Sequence, residues 1–129
     1  MFERWGALAR SGADAVMIGR GAQGRPWFPG QVARYLDSGR REEAPPLDAQ
    51  RDLIMALYDE MLAHHGERIG VKHVRKHVGW ALDTAAATAG VGAETLKAWR
   101  GQVLTAPTPQ ETRRRIADAF GAMAWRAVA

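Results

Sequence analysis

Residues 14–30 read DAVMIGRGAQGRPWFPG, a short apolar run followed directly by a glycine-rich turn. The run at 13–19 is apolar and bounded by turn residues, which predicts a buried β-strand. The preceding segment, 2–10, has apolar residues at three- and four-residue spacing and is predicted to be a helix. No second convincing strand follows in the sequence. The chain therefore contains one predicted strand and no predicted partner for it.

An unpaired strand is informative because its backbone N–H and C=O groups need partners in a sheet. Helix, turn, apolar strand, glycine turn and helix is the order expected for the last unit of an α/β protein. The simplest interpretation is that residues 1–36 form the end of a larger α/β domain. A strand supplied by a second copy of the chain is the alternative, which leaves a homo-oligomer open.

The glycine-rich turn contains Gly19, Gly21 and Gly24 in the spacing GxGxxG. In a dinucleotide-binding fold a helix follows at once, and an acidic residue ends a second strand about 20 residues later. Here Pro26 interrupts that helix, and the acidic residues at 42–43 follow no strand. The dinucleotide interpretation is therefore excluded. A phosphate site in a βα turn and a plain glycine-rich turn both remain open.

The rest of the sequence is predicted to be helical. A helix at 31–36 is followed by DSGRREEAPP at 37–46, whose charged, Gly and Pro residues are typical of a linker. Amphipathic segments then follow at 48–65, 67–86, 93–104 and from 108 onward, the last opened by the capping box of Thr108 and Glu111. The predicted fold is mainly α, a C-terminal four-helix bundle preceded by a helix-strand-helix unit.

The composition indicates a globular protein with a basic surface. The 129 residues carry a formal net charge of +4 and a pI near 10.1, and the sequence contains 15 arginines and three lysines. Arginine suits forked contact with phosphate, so a polyanionic partner and a solvated basic surface both fit. There is no cysteine, no secretory signal and no membrane-spanning apolar run. A cytoplasmic location without a membrane partner is expected.

The segment 70–82, GVKHVRKHVGWAL, divides into three faces when it is placed on a helix. The apolar face contains Val71, Val74, Val78, Ala81 and Leu82. The basic face contains Lys72, Arg75, Lys76 and Gly79. The third stripe contains His73, His77 and Trp80. Cations beside an indole and imidazoles suit contact with nucleic acid, and a solvated charged face with Trp80 covering the core is the alternative. His73 and His77 have the spacing of a metal pair, but the neighbouring cations argue against a metal.

Two stretches together resemble a known family. SGADAVMIGRGAQGRPWF at 11–28 and VRKHVGWAL at 74–82 are similar to the C-terminal part of the tRNA-dihydrouridine synthases, closest to the bacterial B-type, nitrogen-regulation-like branch. The resemblance covers most of residues 1 to about 82. It implies an FMN-binding (β/α)₈ barrel followed by a helical tRNA-binding domain, in a flavoprotein oxidoreductase that uses NADPH to reduce uridines in tRNA.

The resemblance also assigns residues and domains. It implies that Gly19, Arg20 and Gly21 hold the FMN phosphate, and that Arg75, Lys76 and His77 face tRNA. Lys72, which lies on the same predicted basic face, is added to the predicted RNA-binding residues. Residues 1–36 would then be the last unit of the barrel, 37–46 a linker, and 47–129 the tRNA-binding domain.

The sequence departs from the family in one important respect. The family's proton donor is a barrel cysteine, and this chain has none. The expectation is therefore a C-terminal fragment that is inactive alone and contributes tRNA binding. The alternative is a non-catalytic helical module that binds RNA or protein.

Overall fold

The structure is a computed structural model that describes residues 17–128, with side chains described through residue 126. The helix predicted at 2–10 and most of the strand predicted at 13–19 lie outside this range. Met17 and Ile18 are described, and neither lies in regular secondary structure. Met17 is 93% exposed. The structure therefore does not show a buried strand at these two positions, where no described segment offers sheet hydrogen bonds.

The described part of the chain is mainly α-helical. A short 3-10 helix at Arg20–Ala22 precedes five α-helices. These are α1 at Phe28–Ser38, α2 at Leu47–His65, α3 at Glu67–Ala89, α4 at Ala93–Leu104 and α5 at Pro109–Val128. Residues 17–128 contain no β-strand. None of the described helices is both long and apolar enough to cross a membrane.

The described residues fall into two compact units. The first contains residues 17–22 and 26–43, and the second contains residues 23–25 and 44–128. Three residues of the glycine-rich turn thus group with the helical second unit.

In the first unit, α1 is longer than predicted and the following segment folds back along it. Pro29 lies in the first turn, and Gly39 ends the helix with a φ of 75° and an N–H bond of 2.7 Å to the Tyr35 carbonyl. Gln31 donates to the Glu43 carbonyl at 2.7 Å, and Arg34 pairs with Glu42. The predicted linker at 37–46 therefore begins two residues later, after Ser38, and part of it is held by α1.

In the second unit, four helices pack around one hydrophobic core. Helices α3 and α5 each contact the three other helices of the unit, whereas α2 and α4 do not touch each other. The most deeply buried large side chains of this core are Tyr58, Phe120, Leu82, Ile116, Met123, Val74, Val78 and Val103. The apolar face predicted for 70–82 is confirmed at Val74, Val78, Ala81 and Leu82, and Val71 is half-buried.

Helices α2 and α3 approach closely at a glycine. A Cβ atom added to Gly70 would lie 2.7 Å from the Met61 carbonyl oxygen and 2.8 Å from the Leu62 Cα. Both of these neighbours are backbone atoms, which cannot rotate out of the way. Gly70 therefore permits this helix–helix contact.

Two details of the predicted helices are corrected. The apolar spacing in the sequence predicts that the core face of α2 contains Leu53, Ile54, Leu57, Met61 and Leu62. Leu53 is instead 41% exposed, whereas Tyr58 is 2% exposed and lies in the core. The α2 core face is thus centred on Ile54 and Tyr58, which are one helical turn apart. At the start of α5, the Thr108 hydroxyl accepts the Glu111 N–H at 3.1 Å. The Glu111 carboxylate binds Arg114 and Arg115 rather than completing the capping box.

Candidate nucleic-acid interface

One long face of α3 carries the predicted RNA-binding residues. Lys72, Arg75 and Lys76 are exposed, and His77 is half-buried at their edge. Their spacing of three and four residues brings them to one side of the helix, because neighbours at that spacing overlie one another. The sequence-predicted residues are therefore brought together on one surface, which is here called the α3 basic face.

Arg68 extends the α3 basic face toward the start of the helix and was not among the predicted residues. It is exposed and lies four residues before Lys72. No acidic residue occurs on α3 between Glu67 and Asp83. The helical spacing from Lys72 is the signal that identifies Arg68 in the sequence.

Gly79, which the sequence analysis placed on the basic face, is buried beneath an arginine. The Arg100 guanidinium lies over it, 3.0 Å from the position that a Cβ atom would take. Arg100 donates to the Gly79 carbonyl at 2.7 Å and to the Asp83 carboxylate at 2.8 Å. The basic face therefore ends before Gly79, because a neighbouring helix covers that position.

Aromatic rings interleave with the cations of this face. The His77 and Trp80 rings pack edge to face with centroids 5.3 Å apart, and the Lys76 ammonium lies 5.9 Å from the Trp80 ring centroid. Burial, followed by the positive charge of Lys76, lowers the pKa of His77 below its usual value. At neutral pH His77 thus presents a mainly uncharged ring that can donate or accept one hydrogen bond.

A second group of rings lies at the junction of α2 and α3. The centroids of His64 and His65 are 4.6 Å apart, and those of His65 and His73 are 4.9 Å apart. All four histidines of the sequence therefore lie near the α3 basic face or at its end. Within residues 17–128 no group of three or more histidine, aspartate or glutamate side chains is arranged to hold a metal ion.

The cations of the α3 basic face differ in their partners from five other arginines of the second unit. Arg68, Lys72 and Arg75 make no hydrogen bond or ion pair with the described residues. In contrast, ion pairs join Arg51 to Asp52, Arg100 to Asp83, Arg113 to Asp59, and Arg114 and Arg115 to Glu111. The α3 cations are thus the largest group without ion pairs in this unit, and Lys97 on α4 and Arg126 on α5 are further cations without one among the described residues.

The segment 23–25 packs against the same helix. Gly24 has a φ of 74°, and a Cβ atom at this position would lie 2.5 Å from the Trp80 carbonyl oxygen and 2.9 Å from the Thr84 hydroxyl. The third glycine of the GxGxxG spacing therefore makes a close backbone contact with α3. Burial lowers the pKa of the neighbouring Arg25.

The turn predicted to hold a phosphate lies in the first unit. Gly19 and Arg20 are exposed, Gly21 is half-buried, and the Ala22 N–H donates to the Gly19 carbonyl at 3.1 Å. Arg20 makes no hydrogen bond or ion pair with any residue that the structure describes. A guanidinium and backbone N–H groups are donors that fit a phosphate group.

The sequence matches the profile of the family described as Dihydrouridine synthase (Dus) over residues 5–120. The chain belongs to the dihydrouridine synthase family. It corresponds to the C-terminal part of that family, as the resemblance predicted.

Three curated relatives show the same similarity. The chain is 35% identical over 114 residues to the probable tRNA-dihydrouridine synthase of Rickettsia conorii, covering 88% of this chain and 32% of the relative. It is 42% identical over 115 residues to the enzyme of the same name from Rhizobium leguminosarum bv. phaseoli, with 89% and 32% covered.

The third relative is the tRNA-dihydrouridine synthase B of Xanthomonas axonopodis pv. citri. It is 47% identical over 73 residues, which cover 57% of this chain and 22% of the relative. The matched dihydrouridine synthase region thus spans about a third of the first two relatives and less of the third.

Proposed function

We propose that this chain is the tRNA-binding part of an FMN- and NADPH-dependent tRNA-dihydrouridine synthase, and that the α3 basic face contacts the tRNA backbone. Family membership supports the class of substrate, because the relatives are named tRNA-dihydrouridine synthases. The proposal for this surface rests on the charges and rings of α3.

The single observation that carries the proposal is that Arg68, Lys72 and Arg75 make no hydrogen bond or ion pair within the described residues. An arginine already paired with a carboxylate must exchange that partner for a phosphate, whereas Arg68, Lys72 and Arg75 need only release water and counterions. Release of counterions on phosphate contact is the main source of affinity for a polyanion. The α3 basic face is therefore the part of the second unit best suited to bind RNA.

The rings beside these cations favour RNA over a featureless polyanion. Unstacked bases of RNA stack on aromatic side chains and on arginine, and such stacking is sequence-tolerant. Trp80 is half-buried, so one part of its ring is held against the protein while another part is accessible. His77 and Lys76 both lie next to the Trp80 ring. Together they offer a stacking surface next to phosphate-binding groups.

The same proposal includes a cofactor site and a barrel. Gly19, Arg20 and Gly21 would hold the phosphate of FMN at the end of a (β/α)₈ barrel, of which residues 1–36 form the last unit. Exposure of Arg20 and its lack of a described protein partner support this assignment. Residues 47–129 would form the four-helix tRNA-binding domain of a cytoplasmic enzyme. FMN, when bound, would supply the hydride for reduction of uridine.

The test of the RNA-binding proposal is the salt dependence of tRNA affinity. Each phosphate contact changes the slope of log K against log salt by about 0.7–0.9. We expect R75Q/K76Q to bind tRNA more weakly and with a slope shallower by about 1.5, as follows from two lost contacts.

A matched control is R51Q/R114Q, which removes the same charge from two arginines that are paired with carboxylates. We expect this control to change the slope much less. Equal slopes for the two double variants would show that only net charge matters and would contradict the assignment of the α3 basic face.

A further inference from the structure

A small, partly open cavity of about 20 Å³ lies between the core and the α3 basic face. Its walls combine apolar side chains of α3 and α4 with three polar side chains, Tyr58, Arg75 and Thr112. One water molecule needs roughly 10–15 Å³ of such space and two to four polar partners. The cavity thus has the volume and the lining that a single water requires.

Tyr58 lines this cavity and has an unsatisfied hydroxyl. Its side chain is 2% exposed, and the hydroxyl oxygen has no hydrogen-bond partner within residues 17–126. A buried hydroxyl without a partner is unfavourable by about 1–3 kcal/mol, so native proteins almost always supply one. The cavity that Tyr58 lines leaves room for such a partner.

The other two polar groups can complete the site. Arg75 is exposed and makes no hydrogen bond with the described residues, so its guanidinium has donors to spare. Thr112 donates to the Thr108 carbonyl at 3.0 Å, which leaves its oxygen able to accept a hydrogen bond. A water can accept one hydrogen bond from the Tyr58 hydroxyl and one from Arg75, and can donate one of its own hydrogens to the Thr112 oxygen.

We infer that this cavity binds one structural water, which connects Tyr58 on α2 to Arg75 and makes Tyr58 a positioning residue for the α3 basic face. The positioning role rests on the proposed RNA-binding function, whereas the water site does not. The water restricts the orientation of the Arg75 guanidinium before RNA arrives, which reduces the loss of side-chain entropy on binding.

The water site is tested directly by a crystal structure of the whole chain with ordered solvent. We expect a water about 3 Å from both the Tyr58 oxygen and a guanidinium nitrogen of Arg75. An empty cavity, or a Tyr58 hydroxyl bonded to a protein group, would overturn the inference. This measurement needs no RNA, so it remains informative if the proposed function fails.

The positioning role is tested by Tyr58→Phe, with Tyr35→Phe as the control because these are the two tyrosines of the chain. We expect Tyr58→Phe to weaken tRNA binding roughly three- to tenfold, the effect of one lost hydrogen bond, and Tyr35→Phe to leave it unchanged. A folded Tyr58→Phe variant with wild-type affinity would refute the role, provided that the wild type binds tRNA. Failure of the wild type to bind would contradict the proposed function instead.

A second variant protects the test against loss of folding. Val103 lines the cavity from α4 and is not a residue of the α3 basic face, so Val103→Ile adds one methylene to the cavity without removing a cation. We expect it to lower tRNA affinity as Tyr58→Phe does. If Val103→Ile fills the cavity and the affinity for tRNA is unchanged, the positioning role of the water is contradicted.

Discussion

At the scale of single residues, the surroundings of His77 on the α3 basic face change the pKa of its ring. The ring is half-buried against Trp80 and lies next to Lys76 along the chain, and both burial and the neighbouring charge disfavour its protonated form. The pKa of His77 is therefore lowered in the folded protein, and the unfolded chain has the ordinary value. Between these two pKa values the unfolded state binds more protons than the folded state.

This difference predicts a pH dependence of stability. Above the ordinary histidine pKa, the contribution of His77 to the unfolding free energy is fully present. This contribution declines as the pH falls from the ordinary pKa to the lowered pKa, and it stays constant at lower pH. We expect His77→Gln to reduce the loss of unfolding free energy between about pH 7.5 and pH 5. Urea unfolding of the wild type and of His77→Gln at several pH values measures this loss. A variant that loses as much stability as the wild type over this range would contradict the environment described for His77.

Residue types on this face could be predicted from the sequence, but their environments could not. The spacing of Lys72, Arg75 and Lys76 places them on one helical face by geometry alone. In contrast, Gly79 is covered by Arg100, which is 21 residues away in the sequence, and so is not exposed on that face. Contacts of this kind depend on how helices pack, which a helical projection of one segment does not contain.

At the scale of secondary-structure elements, the contact between α2 and α3 depends on Gly70. Replacing it with alanine would place a methyl group within 2.8 Å of backbone atoms of α2. We expect Gly70→Ala to lower the unfolding free energy by roughly 1–3 kcal/mol, as overpacking usually does. This cost exceeds the roughly 0.5–1 kcal/mol that alanine adds in a helix interior relative to glycine.

A matched control for this prediction is Gly121→Ala in α5. Gly121 is exposed, and a Cβ atom there would meet no described atom within 4 Å. We expect this variant to be more stable than the wild type by roughly 0.5–1 kcal/mol. Urea unfolding of the two variants should therefore shift in opposite directions. A shift of Gly70→Ala in the same direction as Gly121→Ala would contradict the close helix contact.

The sequence predicted the helices better than it predicted their core faces. The bounds of α4 match the prediction, and α2 and α3 differ from it by three residues or fewer. Helix ends are marked locally, by Gly66 after α2 and by Gly90 after α3. The placement of Tyr58 in the core and of Leu53 outside it depends on which side of α2 the other helices approach. Side-chain hydrophobicity alone assigns these two positions in the opposite way.

At the scale of the whole molecule, the net charge predicted a basic surface without locating it. The sequence gives 15 arginines, yet five of those in the second unit are held by carboxylates. The pair between Arg113 and Asp59 joins residues 54 positions apart, which no local pattern reveals. Pairing elsewhere leaves the α3 cations as the largest group without ion pairs in this unit. In the tract Arg113–Arg115, which looks more basic in sequence, every arginine is paired, with two carboxylates shared among the three.

The most direct test of RNA binding by the α3 basic face is an NMR titration of the chain with tRNA, labelled with ¹⁵N at its five tryptophans. Trp80 lies beside Lys76 and His77, whereas Trp125 lies on α5, is 76% exposed and provides an internal control. We predict that tRNA shifts or broadens the indole N–H signal of Trp80, that Trp125 keeps its position, and that added salt reverses the change. Binding of tRNA that moves the Trp125 signal and leaves Trp80 unchanged would contradict the account.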